Sequence, residues 1–525
     1  VKLLTAEQFV TAQGMAGNTV LIDGGKIAAL GIAGRDFDQQ PGNHAEVLSF
    51  PGATIVPGLG DAHFHPLGYT AAVTRLSLKT TRDLADLADR LQAAAGRLPP
   101  GVPLIGQRLD DEALAERRLP DRHDLDRALA DRPVVLYRYC GHVAVANTAA
   151  LEAAAIVPGT ADPAGGGIDR DQSGVPNGIL RETAVRLVAQ ALGGRTEGLD
   201  PADLLRAMST LAALGLTRLG AIVSAGDPIW CGVGDELTSL IEVGPDLPFP
   251  VDVLVIADDE AMLESAARRL SDASPRLSFL GWKDFADGSL GGHTAALHTA
   301  YSDLPSERGT LRLDPAHARR MAKATLGLGG MVALHAIGDR ANDQVIDLFE
   351  ELVANGAEPA RLRIEHASVL GERAVDRLGR LGVIVSIQPA FLASEGAWLP
   401  KRIDPERLRW TYPFRSLLEA GVRLAGGSDC PVEPPDPLWG MTAACRRGGL
   451  TPSESLTGAQ ALGLFTDGVA AGGGRPLPTQ VGQPANFTVL GADPTDHPAP
   501  HRIEMLATVI DGVVFRGEPE FEWPG

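Results

Sequence analysis

The segment Ala53-Thr54-Ile55-Val56-Pro57-Gly58 leads into Asp61-Ala62-His63-Phe64-His65, and the chain is read outward from there. The apolar run reads as a strand and Pro57-Gly58 as a turn. Residues two apart in an extended strand share one side. His63 and His65 can therefore aim both imidazoles at one point, while Phe64 faces the opposite wall. Two converging imidazoles suit a divalent transition metal. A surface pair or a packing accident produces the same triplet, so a metal reading needs further ligands elsewhere in the chain.

The 525 residues are 44% hydrophobic and 22% charged, the composition of a globular protein with a substantial core. A net charge of −19, from 47 basic and 66 acidic residues, argues against nucleic acid or an anionic membrane as partner. A small-molecule substrate is expected instead, and a homodimer is left open. Cys140, Cys231, Cys430 and Cys445 lie far apart with no Cys-x-x-Cys, which suits a reducing compartment better than a disulfide framework. No apolar run approaches the ~18–20 residues of a membrane span. Val1-Lys2-Leu3-Leu4 runs into polar sequence without a signal-peptide pattern. A cytoplasmic location is expected, and the opening on Val1 suggests residues upstream.

Both ends of the chain read as β. Residues 19–30 resemble a hairpin around Asp23-Gly24-Gly25. Near the other end, 486–490 and 507–510 are apolar, and Asp511-Gly512 turns into 513–515. These runs predict a small β-sandwich domain built from residues 1–58 and 476–525. Between them, strand and helix patterns alternate from about residue 200. Candidate strands are 217–223, 251–256, 280–286, 331–337, 362–367, 383–388 and 422–427, with helical patterns at 314–328, 339–354 and 372–381. Such alternation implies a parallel sheet. With the strand before His63 the count reaches eight, which closes a (β/α)8 TIM barrel over residues 59–475. Gly165-Gly166-Gly167 does not match a dinucleotide-binding loop, which disfavours an open Rossmann-like sheet. Residues 66–199 are then a large insertion after the first barrel strand, expected over the C-terminal mouth.

Barrel enzymes carry their functional residues at the C-terminal ends of strands. The predicted ends supply His63 and His65, Lys283, His335, His366 and Asp429. Each has a bland alternative: a hydrogen-bonded histidine, a solvated lysine, a turn-forming aspartate. Their joint occurrence at strand ends favours a metal site. His142, after Tyr139-Cys140-Gly141 in the insertion, is either a core histidine or a donor to a substrate oxyanion. Asp287 and Arg340 read as supporting residues.

These segments resemble the amidohydrolase superfamily of metal-dependent hydrolases, and more closely its YtcJ-like branch, which includes N-substituted formamide deformylases. The resemblance is carried by 57–65, 283–291, 335–341, 363–367 and 427–433, and within the insertion by 141–147 and 178–182. It implies that His63 and His65 bind one metal and His335 and His366 a second. Lys283, carboxylated on its amine, would bridge them, and Asp429 would bind the first metal and carry a proton. Zinc suits such ligands. The implied activity is hydrolysis of a carbon–nitrogen amide bond by metal-activated hydroxide, on a substrate such as an N-substituted formamide or N-acyl amine. The alternatives are a mononuclear deaminase, an ester or lactone hydrolase, and a non-catalytic scaffold. Two positions depart from the branch pattern. Leu109 stands where Trp is frequent, in a segment expected to line the pocket, and Asn486 stands where Asp is usual.

Overall fold

The computed structural model describes residues 1–32, 46–193, 199–226, 235–475 and 479–516. Eight parallel strands form the central sheet: Leu59–Phe64, Leu216–Ser224, Val251–Ile256, Leu277–Phe285, Met331–Ala336, Leu362–His366, Ile384–Ile387 and Arg423–Gly426. Neighbours in sequence are neighbours in the sheet, as successive β–α units require. The first and last strands meet just past the end of the last. There Asp429 N–H donates to His63 O at 2.8 Å and His65 N–H donates to Cys430 O at 3.0 Å. The predicted barrel is therefore the observed fold.

Side chains alternate along these strands. Val253, Val255, Val332, Leu334, Val385 and Ile387 belong to the largest core, shared with the outer helices. The intervening residues Leu254, Ala333 and Ile384 belong to a second core, which also takes in Val135, Tyr137, Ala144 and Leu180 of the insertion. The insertion thus packs on the barrel interior. Its own six-stranded sheet contains Leu104–Leu109, Val134–Arg138, Val143–Ala146 and Pro176–Glu182.

Both ends of the chain join one seven-stranded sheet. Lys2–Thr11 lies between Gly14–Asp23 and Glu46–Pro57, and Phe487–Leu490 pairs with the far side of Glu46–Pro57. The expected hairpin forms, with Asp23 opposite Lys26. Gly24 and Gly25 both take positive φ, 54° and 78°, as a two-residue hairpin turn requires. Asn486 Oδ1 accepts from Asp511 N–H at 2.8 Å and so holds the last turn of this sheet. The apolar run at 53–56 lies in the long strand Glu46–Pro57 of the terminal sheet, and the first barrel strand is the segment that follows it. The run is buried on successive residues because the terminal sheet packs against the barrel there.

Cys140, Cys430 and Cys445 are free thiols, and Cys231 lies outside the described residues. Among the described residues, no helix is long and apolar enough to cross a membrane.

Strand packing is tight where the second strand passes the first. A Cβ at Gly220 would lie 2.4 Å from Ala62 O, a main-chain atom that cannot swing aside. Gly220→Ala is expected to lower stability by about 2–4 kcal/mol, the range for overpacking a core. A urea midpoint equal to that of the wild type would show that these strands have room to part.

Candidate metal centre

The predicted ligands converge at the C-terminal mouth. His63, His366 and Asp429 offer ligand atoms that all lie within 4.8 Å of one another. His65 Nε2 is 3.1 Å and His63 Nε2 3.2 Å from Asp429 Oδ1. The His335 ring lies 4.5 Å from that of His366, centroid to centroid. The tightest triplet thus takes one imidazole from each of the two pairs that the family resemblance assigns to separate metals.

The imidazoles are held by their far nitrogens. His63 Nδ1 pairs with Glu365 Oε2 at 2.7 Å, and His366 Nδ1 with Gln388 Oε1 at 2.6 Å. His335 Nε2 donates to Gly288 O at 3.0 Å. A ring nitrogen that donates outward leaves the other as a lone pair. The available donors are then His63 Nε2, His366 Nε2 and His335 Nδ1. Glu365 is itself clamped, because Arg363 Nε donates to Oε1 at 2.6 Å and Nη2 to Oε2 at 3.1 Å. Both residues are fully buried.

Charge in the cluster follows from burial and neighbours. Burial keeps the His335 and His366 rings well below the ordinary imidazole range, so both are neutral. Burial also works against charge on His63, but the carboxylates of Asp429 and Glu365 push its ring up to about 9. Burial opposes ionisation of Asp429 too, yet the His63 and His65 rings hold its carboxyl well below the usual range. Two neutral imidazoles, the His63 ring whose second proton a bound cation would displace, and the ionised Asp429 form a donor set that fits a divalent transition metal.

Lys283 lies buried at the wall of this cluster. Its Nζ donates to Asp284 O at 3.1 Å and sits 3.5 Å from the centroid of the Phe285 ring. Among the described residues, no hydrogen bond or ion pair joins it to the histidines or Asp429. Burial lowers its amine to about 7.

The insertion supplies Arg138, Tyr139, Cys140, Gly141 and His142 to the wall of the same cavity. His142 Nδ1 pairs with Glu182 Oε2 at 2.9 Å, which leaves Nε2 as its other polar atom. Asp287 accepts from three backbone N–H groups, those of Ile337, Gly338 and Ala296, at 2.8–3.0 Å. It is a brace behind His335. Arg340 is half-buried, and its backbone N–H bonds Ala296 O at 3.1 Å. Leu109 corrects an expectation: it is fully buried in the insertion's own core and does not line the cavity. Sequence reading overlooked Glu365 and Gln388 as supports of ligands. Inward alternation with Arg363 marks the first, and the end of the seventh strand marks the second.

Residues 47–516 match the model of the Amidohydrolase family. The chain is similar to the putative amidohydrolase YtcJ of Bacillus subtilis (strain 168), 31% identical over 513 residues that cover 94% of this chain and 95% of that protein. The N-substituted formamide deformylase of Arthrobacter pascens is 29% identical over 533 residues, covering 96% of each. The crystal structure of an uncharacterized metal-dependent hydrolase from Pyrococcus horikoshii OT3 superposes with a TM-score of 0.76 at 27% identity, covering 96% of this chain and 99% of that one.

Glu365 is the support most exposed to test. Glu365→Gln keeps the shape but loses the charge that holds His63 Nδ1–H. Metal affinity is expected to fall about 10–100-fold, read by competition with a chelator. Unchanged affinity would make Glu365 a core ion pair only.

Proposed function

The chain belongs to the amidohydrolase family of metal-dependent hydrolases, and on that premise we propose that it cleaves the carbon–nitrogen bond of a linear amide, such as an N-substituted formamide or an N-acyl amine. The observation that carries this reading is an ionised carboxylate, Asp429, within 3.2 Å of two metal-suited imidazoles in a cavity that also presents His142. The N-substituted formamide deformylase, similar over 96% of the chain, supports the choice of amide.

His63, His65, His335, His366 and Asp429 would hold the metal, with zinc the ion best suited to them, and a carboxylated Lys283 would bridge two ions. A bound divalent ion lowers the pKa of water and polarises a carbonyl oxygen. Asp429 accepts the proton of the attacking water on a carboxylate oxygen and passes it to the departing nitrogen. His142, with Nδ1–H donated to the ionised Glu182, donates from Nε2 to the carbonyl oxygen in its doubly protonated form, as negative charge develops there. Carboxylation of Lys283 is supported by its burial, since only a neutral amine adds carbon dioxide and burial brings this one to about 7. A single-ion site is the second reading. It is favoured by the compact His63, His366 and Asp429 triplet and by the bond from Lys283 Nζ to Asp284 O.

Metal-loaded protein is expected to release formate from N-substituted formamides, and His142→Ala to lower kcat/KM by about 10²–10³ with metal content unchanged. Turnover of lactones alone, in a panel of formamides, N-acyl amines, ureas and lactones, would sink the amide reading.

The two metal readings separate on Lys283. Apo-protein reconstituted in bicarbonate-depleted buffer is expected to recover little activity and to regain it when bicarbonate is added, while Lys283→Ala responds to neither. Near-normal turnover of Lys283→Ala with one bound metal would establish the single-ion site.

A further inference from the structure

Arg138 closes the insertion strand Val134–Arg138 and lines the same cavity as the candidate metal ligands. A tight turn, with Gly141 N–H donating to Arg138 O at 2.9 Å and Gly141 at φ 75°, sets Arg138 and His142 on one rim. Arg138 is buried to within 1% exposure. Its Nε donates to Asp111 Oδ1 at 2.6 Å. The terminal nitrogens Nη1 and Nη2 have no oxygen or nitrogen acceptor among the described residues. The guanidinium engages the Cys140 thiol, which is only a weak acceptor. The Tyr139 ring, 4.3 Å from Cζ, offers a face but no lone pair.

Arg402 provides the contrast. It is also buried, but its Nη1 and Nη2 are taken by Leu290 O, Gly291 O and Glu112 Oε1. No other buried arginine among the described residues leaves both terminal nitrogens open. Space for the guanidinium is reserved as well, since a Cβ at Gly291 would come within 2.7 Å of Arg138 Nη1. Buried donors without acceptors are costly, and a guanidinium end presents its N–H groups as a planar fork. The complement of that fork is an acceptor with two coplanar oxygens and a negative charge.

We propose that Arg138 forms a carboxylate subsite beside the metal centre, so that the substrate is an amide whose other end carries a carboxylate. The identity of the amide half rests on the function proposed above; the subsite itself rests on Arg138. Asp111 bonds only the Nε side and so leaves the fork free for the ligand.

Straight-chain monocarboxylates of graded length, titrated by calorimetry into the metal-loaded full chain, test the subsite without turnover, with alcohols of equal length as controls. At least one acid is expected to bind about tenfold or more tighter than its alcohol. Arg138→Met is expected to abolish that preference and leave alcohol binding unchanged. Arg138→Lys keeps the charge without the fork and is expected to retain only part. Acids that bind no tighter than alcohols to the wild type overturn the proposal, whatever the fold of the variants. So does acid binding that Arg138→Met leaves intact, which would place the carboxylate on the metal. Matched N-formyl-ω-amino acids and N-formylalkylamines separate the two readings. If neither series is cleaved while Arg138-dependent acid binding persists, the amide reading falls and the subsite stands. If both are cleaved with equal kcat/KM and no Arg138-dependent binding is seen, the subsite alone falls.

Discussion

The seam between the first and last barrel strands is the constraint on which the site depends. Asp429 N–H to His63 O and His65 N–H to Cys430 O tie the two strand ends at the point where three candidate ligands emerge. Asp61 reinforces the seam from behind. Its carboxylate accepts from Ser428 Oγ at 2.5 Å, from Ser428 N–H at 3.1 Å and from His63 N–H at 3.0 Å. Asp61 is buried, and burial raises that carboxyl to about 6 despite these donors. The main-chain bonds that close the barrel are therefore the same ones that bring Asp429 to His63 and His65.

The second shared element is the buried Arg363–Glu365 pair. Two charges removed from water need further hydrogen bonds to be tolerated, and removing one partner from such a pair costs about 3–5 kcal/mol. Here the extra bonds exist. Arg363 Nη2 also donates to Ala62 O at 2.6 Å and Nη1 to Gly472 O at 3.2 Å, while Glu365 takes His63 Nδ1. The pair links the sixth strand to the first across the barrel. It also fixes the His63 ring so that Nε2 faces Asp429. Stability and ligand orientation rest on the same atoms, so a change at Glu365 is felt in both.

The ligands were legible in the sequence because each follows an apolar strand, and strand ends in a barrel converge on one mouth. Their supports were not, because they are chosen by tertiary partners. Glu365 and His63 lie 302 positions apart, and nothing local in either segment announces the bond. Leu109 shows the same limit differently. Its segment lies near the mouth, but the strand breaks its alternation there: the register shifts between Gly106 and Leu109, Arg108 takes φ 63°, and Leu109 joins Leu104 in the insertion's core. The run at 53–56 has the same limit, since an apolar run states that it is buried and not which sheet buries it. Whether the Arg138 fork is satisfied is likewise a property of the folded chain alone.

Backbone strain gives the last step. Asp429 and His366 hold φ at 56° and 75°, Ala367 at 48°, and Glu182, the partner of His142, at 52°. Each lies in a region that costs a non-glycine residue of order 1 kcal/mol or more. Such conformations persist only where the surroundings over-determine them. Those surroundings are visible: the Asp61 brace at the 428–429 turn, Ala367 N–H to Ala336 O at 3.0 Å, and Glu182 N–H to His142 O at 2.8 Å. These four are candidate ligands or their immediate neighbours, together with one residue that steers His142; positive φ also occurs away from the site, as at Arg117, Ala155 and Asp511. The fold therefore holds the donor atoms in position through main-chain bonds, so that a metal meets an arranged site and does not have to gather one.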